Sequence, residues 1–450
     1  RRPPRLHGKA PAAVQGALTA MRDAGDPLFP RDEAIAGLPL DGTIKGVKPG
    51  AALRLDQVAA QGWQLPDMPL PLAVLRVDIM RRNAAWMADF ARRNGLSLCP
   101  HGKTTMSPQL WNLQLAEGAW GITVATAHQL QVARRFGIPR VIWANQPIGP
   151  IAVDAAFEAL RDPAFELFVL ADSLAVVEGL AAGAARANLP RPLPVLLEVG
   201  AKGGRTGARS TDAALQVARA IAAAPGLALA GVEAFEGLLA ETAQVDAFLG
   251  TLVATARACA AEGLFGTEEI LLTAGGTAFF DRIGPRLAEA GDLGRPVRRV
   301  LRSGCYLTHD SMGYEQAYRR MRKESLGLDY PPGDLRAAME VWAHVQSVPE
   351  PGRAIITCGK RDISFDTGWP VPLRLLRAHD AQAVPFGAFH KVSGMNDQHG
   401  YLTGPADGLL RVGDIVVLGV GHPCTTFDKW QVIPLVDEAF RVTGAIRTFF

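Results

Sequence analysis

Long apolar runs are missing from this sequence: nowhere do eighteen apolar residues follow one another, so no membrane-crossing helix is expected. Cysteine is scarce. The five present, Cys99, Cys259, Cys305, Cys358 and Cys424, are odd in number and far apart, which argues against a disulfide framework and for a reduced, cytoplasmic setting. Charge of one sign is lacking too, since a net +3 over 450 residues gives no footprint for nucleic acid or a membrane surface. There is no Gly-x-Gly-x-x-Gly, which removes the dinucleotide reading, and no internal repeat or low-complexity tract. The basic start, Arg1 to Lys9, lacks the apolar core of a signal peptide and reads as a flexible tail.

What is present is globular stock, 48% hydrophobic and 20% charged, in a chain long enough for one large barrel and a smaller domain. The first seventy or so residues alternate short polar and apolar pieces and close on the linker-like Leu65-Pro-Asp-Met-Pro-Leu-Pro71. From Leu72 the pattern changes to nine apolar runs, Ala73–Val77, Leu96–Cys99, Ile122–Ala125, Val141–Ala144, Leu167–Leu170, Val195–Val199, Leu227–Val232, Ile270–Thr273 and Val297–Leu301, separated by alanine-rich segments of helical periodicity. This predicts an α/β fold, a (β/α)8 TIM-type barrel with one lead-in strand, over residues 70–325; a doubly wound open sheet is the rival. Beyond Tyr330-Pro-Pro-Gly333 strands follow one another through turns, so residues 326–450 read as a mostly antiparallel β domain, against which an arm, residues 1–69, is expected to pack.

Five short stretches carry candidate chemistry. In Leu98-Cys-Pro-His-Gly-Lys-Thr-Thr-Met-Ser-Pro108 an apolar strand stops at His101-Gly102 and delivers Lys103 to the barrel's C-terminal mouth, where a partly buried amine serves as an imine-forming group or base. In Val420-Gly-His-Pro-Cys-Thr-Thr-Phe427, His422 and Cys424 stand two apart, on one side of an extended backbone, and an imidazole with a thiolate suits Zn²⁺ while leaving positions open for substrate. Gly275, Gly276 and Thr277 follow a late strand and offer backbone N–H groups to a phosphate; a glycine turn with Thr277 as helix cap fits the same residues. Arg205, among glycines after Val199, and Tyr306, after the last barrel strand, can neighbour a bound ring, or be a loop arginine and a core tyrosine.

The ensemble resembles the D-serine dehydratase and D-threonine aldolase family, enzymes with pyridoxal 5'-phosphate on an alanine-racemase-like fold. It does so through Pro100-His-Gly-Lys-Thr104, Gly204-Arg-Thr-Gly207, Gly275-Gly-Thr277, Arg302-Ser-Gly-Cys-Tyr306, Asn396-Asp-Gln-His-Gly400 and Gly421-His-Pro-Cys424, in the family's order. The resemblance implies that Lys103 is the Schiff-base lysine, Arg205 the partner of the pyridine nitrogen, Gly275, Gly276 and Thr277 the phosphate binders, and His422 with Cys424 the ligands of a divalent metal, zinc before manganese or magnesium. The aldolase branch typically has aspartate as second ligand, so Cys424 points to the dehydratase branch: a lyase that converts a D-3-hydroxy amino acid such as D-serine into a 2-oxo acid and ammonia. A retro-aldol cleavage, or a larger substrate such as 3-hydroxyaspartate or D-glucosaminate, is the alternative. His101, Asp397 and His399 are placed near substrate or around the metal. A homodimer is implied, one subunit's β domain completing the other's barrel mouth. The arm is longer than in the shorter relatives, and the glycine-rich segment after Val199 departs from the usual form.

Overall fold

In a computed structural model, which describes residues 12–23, 26–29, 33–324, 326–377, 383–384, 386 and 389–450, eight of the nine apolar runs form one parallel sheet. The expected tail at Arg1 to Lys9 lies outside the described residues. The strands are β1 (Ser97–Leu98), β2 (Ile122–Val124), β3 (Arg140–Trp143), β4 (Glu166–Ala171), β5 (Leu193–Val199), β6 (Leu227–Ala234), β7 (Ile270–Ala274) and β8 (Val297–Leu301). From β2 to β8 each pairs with its neighbour in chain order, and β8 pairs back to β1. The ring closes just past β1, where Thr123 N–H donates to Pro100 O at 2.8 Å and Trp120 N–H to Leu98 O at 2.6 Å.

Strands covered on both faces need apolar residues without alternation, which is why continuous runs such as Leu271-Leu-Thr mark them. Cys99, Ile142, Phe168, Leu170, Leu196, Ala230, Leu271 and Val300 pack together inside the ring as a cluster of their own. Each large member contributes about 1.5–3 kcal/mol by leaving water, and the barrel is thereby a packed plug with a mouth only at its end. The surrounding helices bury one stripe each: in Ala127–Arg135, Leu130, Val132 and Ala133 face inward, Thr126 caps the start by accepting from Gln129 N–H at 3.2 Å, and Arg134 and Arg135 lie in the last turn, where the dipole favours cations.

The ninth run, Leu72–Arg76, departs from the sequence reading. It joins the second sheet, antiparallel to Met339–Glu350 and parallel to Val432–Val436, so part of the segment assigned to the barrel serves the other domain. Every other pairing in that ten-stranded sheet is antiparallel. The arm touches both lobes. Lys45 pairs with Asp362 at 2.8 Å and lies 3.9 Å over the Trp430 ring, on the β domain, while Gln109 on a barrel helix donates to Leu28 O at 3.3 Å.

Candidate active site

Lys103 stands at the barrel's C-terminal mouth because the chain after β1 cannot go straight on. Pro100 is followed by a tight 3-10 turn, Gly102–Thr104, against which Trp111 is clamped, its Nε1 donating to Gly102 O at 3.0 Å. A side chain at residue 102 would meet Ile122 at 2.5 Å and Trp111 at 2.8 Å, so only glycine lets the turn sit this deep. Lys103 is half-buried, with no hydrogen-bond partner among the described residues.

Above the apolar plug lies a polar layer. Arg302, buried, donates to Thr273 Oγ1 at 2.8 Å, to Ala234 O at 3.1 Å and to the Glu233 carboxylate. Burial pushes the Glu233 carboxyl up to about 8 against the pull of Arg302. Glu198 is also raised by burial, and accepts from Thr206 Oγ1 at 2.6 Å and from Gln146. His101 faces this layer with both ring nitrogens buried and unpartnered. Burial first, then the charges of Arg302, Lys103 and Arg205, hold its pKa well below the usual value, so the imidazole is neutral.

Gly275 needs its positive φ of 110°, and a Cβ there would strike Leu301 at 2.6 Å. The N–H groups of Gly275 and Gly276 already serve an anion, donating to the two oxygens of Glu236 at 3.0 and 2.8 Å. The donors left for a phosphate are the Thr277 hydroxyl, 3.4 Å from Ser303 Oγ, and the buried N–H groups of Thr277 and Gly304, which have no acceptor among the described residues. A half-buried amine, two unserved buried amides and an orphaned imidazole fit a cofactor that carries an aldehyde and a phosphate. Gly304 is pressed on the Lys103 strand: a Cβ would come within 2.7 Å of His101 O and 2.8 Å of His101 N. Gly304→Ala is therefore expected to lose about 1–3 kcal/mol of stability, as overpacking does, and to weaken cofactor binding; a cofactor titration and a melting curve check both.

His422 and Cys424 meet through a turn rather than the extended backbone the sequence suggested, because Cys424 opens a short helix, Cys424–Phe427. The turn is pinned where His422 N–H donates to Ser364 Oγ at 3.0 Å and Thr426 Oγ1 donates back to His422 O at 3.2 Å. His422 Nδ1 lies 2.5 Å from Asp366 Oδ2, the usual way a carboxylate orients a ligating imidazole, and the ring shares a further hydrogen bond with Cys424. The Cys424 pair bond and Asp366 raise His422 to about 9, while the Cys305 thiol and His422 hold Cys424 well below the usual thiol range. Cys424 Sγ stands 3.6 Å from Cys305 Sγ and 3.4 Å from Thr104 Oγ1. The candidate pair thus abuts the residue next to Lys103 within one chain, although among the described residues no three His, Cys, Asp or Glu side chains stand as a ready metal cage. The donor set, an oriented imidazole and a thiol, fits a borderline-soft divalent ion.

Tyr306 packs into the core, its hydroxyl accepting from Gln114 Nε2 at 3.2 Å. Arg205 is exposed on the loop after β5, 4.3 Å over the Phe235 ring, and its charge acts on His101 less than that of the buried Arg302 does. Asp397 and His399 sit exposed in the hairpin between Lys391–Met395 and Gly400–Thr403, Asp397 facing Arg361 at 3.5 Å, with no contact to His422 or Cys424. Sequence reasoning missed Asp366, Cys305, Arg302 and Glu236 as members. Arg302 and Cys305 were in view within one quoted motif, while Asp366 is 56 residues from the histidine it orients.

A parallel barrel with a lysine at its mouth and a separate β domain bearing a His-x-Cys pair define a two-lobed barrel enzyme. Residues 75–296 match the family model described as the alanine racemase N-terminal domain, and residues 338–436 the putative serine dehydratase domain. The 3-hydroxy-D-aspartate aldolase of Paracoccus denitrificans is 24% identical over 395 residues, 85% of this chain and 93% of that protein. Among solved structures, D-threonine aldolase from Filomicrobium marinum superposes with a TM-score of 0.70 at 24% identity, covering 86% of this chain and 97% of that one. D-threo-3-hydroxyaspartate dehydratase from Delftia superposes with a TM-score of 0.66 at 22% identity, covering 86% and 99%. Variants of that dehydratase replace a histidine and, two positions on, a cysteine, the latter in a metal-free form. The resemblance to the D-serine dehydratase and D-threonine aldolase family is borne out: the two matched domains follow each other in the chain, and the named relatives are aldolases and dehydratases, which are lyases.

Proposed function

We propose that this lyase eliminates water from a D-3-hydroxy amino acid, of which D-serine is the simplest, giving a 2-oxo acid and ammonia with the help of a divalent metal at His422 and Cys424. The observation that carries the reading is the thiol of Cys424 lying 3.4 Å from Thr104, one residue from the candidate amine. The same His-x-Cys spacing in the dehydratase relative, whose cysteine-to-alanine variant was solved in a metal-free form, supports it. Pyridoxal phosphate, when bound, makes the α-carbon of an amino acid acidic by withdrawing electrons from it. Lys103 Nζ anchors the cofactor and then takes the α-proton, a step its half-buried position in the fixed turn favours. His101, neutral and unpartnered, offers one donor and one acceptor to the bound groups, and Arg302, fixed by Thr273 and Glu233, keeps a positive charge under them. A divalent cation supplies Lewis-acid help to a departing β-hydroxyl, and a thiolate ligand selects zinc over manganese or magnesium.

A homodimer belongs to the same proposal. Ile148, Ile151, Leu174 and Leu238, all on or beside loops that follow barrel strands, are 48–86% exposed, an apolar rim that a second subunit would cover. Five free cysteines support a cytoplasmic setting, and among the described residues no helix is long and apolar enough to cross a membrane. The test is a panel of D- and L-3-hydroxy amino acids, D-serine and 3-hydroxyaspartate included. Ammonia with a 2-oxo acid from the D isomers is the expected result; glycine with an aldehyde would assign the chain to aldol cleavage, the reaction named for the Paracoccus relative.

A further inference from the structure

We propose that Cys305 is a third protein ligand of this metal, so that the centre is a Cys2His site with one position left for substrate. The inference rests on the metal reading of His422 and Cys424 and deepens it. Cys305 opens the turn Cys305–Leu307 just after β8, so it comes from the barrel while the other two come from the β domain. Its sulfur lies 3.6 Å from that of Cys424. Two sulfurs at about 2.3 Å from one tetrahedral zinc stand roughly 3.8 Å apart, close to the spacing already built, whereas a disulfide needs about 2.05 Å. Thr104 Oγ1 reaches both sulfurs, at 3.8 and 3.4 Å, and the Tyr314 hydroxyl bonds Cys305, so the polar groups at the two sulfurs hold them in place without supplying a lysine or arginine to neutralise them. A pair of close sulfurs with a carboxylate-oriented imidazole beside it is a donor set suited to a borderline-soft cation.

The three side chains stand in a hydrogen-bonded row, His422 to Cys424 to Cys305, and a cation bound there would take the place of the protons they share, which leave to solvent. Three protein ligands with an open fourth position make a catalytic zinc geometry. With three protein ligands, a tetrahedral cation would keep a single further position available. A second thiolate also makes the site softer, excluding magnesium and manganese more sharply than a His-Cys pair does.

The experiment loads the full-length holoenzyme with cobalt(II) under a thiol-free reductant and reads the near-ultraviolet sulfur-to-cobalt absorbance in the parent, Cys305→Ser, Cys305→Ala and Cys424→Ser proteins, with the cofactor's visible band as the check on folding. With two thiolate ligands in the parent, each single variant should keep about half of that absorbance, and each Cys305 variant should release cobalt to a chelator roughly 10–100 times more readily. Cobalt absorbance and release unchanged in both Cys305 variants, while Cys424→Ser loses them, overturns the third ligand alone. Absorbance unchanged in Cys424→Ser as well overturns the metal reading on which it rests.

Discussion

Lys103→Ala is expected to remove the visible absorbance of the bound cofactor and to lower turnover by about 10⁴-fold or more, because one amine serves both as anchor and as proton acceptor. The clamped turn sharpens the expectation. Gly102 and Trp111 leave residue 103 no slack, and Lys202, the lysine among the cleft-lining residues after β5, is exposed on a separate loop. Added alkylamines, which can replace a missing lysine, should restore part of the rate without restoring the band. Turnover at the parental rate in the alanine variant would end the assignment.

Chelation is expected to act on the other half of the chemistry. Withdrawal of the metal should leave the visible band in place and reduce ammonia release by roughly 10³-fold, the several kcal/mol that a Lewis acid contributes to an oxygen leaving group. Zinc should restore the rate, and magnesium should not, since a thiolate ligand discriminates against it. His422→Ala should reproduce the chelated state permanently. A chelated enzyme that releases ammonia at the full rate would separate Cys424 and His422 from the reaction and leave them a structural role between the two lobes.

The barrel was legible because its strands are buried on both faces and so read as unbroken apolar runs; the ninth run looks the same yet lies in another sheet, since burial marks a strand without naming its partner. The place of Lys103 in the turn just past its strand was legible from where that strand stops. Tyr306 and Cys305 were not told apart, as the turn after β8 sends adjacent side chains to opposite fates, one to the core and one to the sulfur pair, and their order within the turn decides which. Asp366 and Glu236 left no trace in the sequence. Each is an ordinary acidic residue whose meaning comes from a partner, His422 or the amides of Gly275 and Gly276, brought near only by tertiary folding.

The strand Leu72–Arg76 is made early and lies between Met339–Glu350 and Val432–Val436. As the chain emerges from the ribosome, its hydrogen-bonding edges must wait for more than 250 further residues before either neighbour exists, a loop closure whose entropy delays the sheet relative to the locally wired helices. An excised barrel beginning at residue 77 would deprive the remaining lobe of an interior strand and expose two raw edges to aggregation. Neither lobe is a module that evolution or an engineer can shuffle intact; they are stitched by a thread that passes through both.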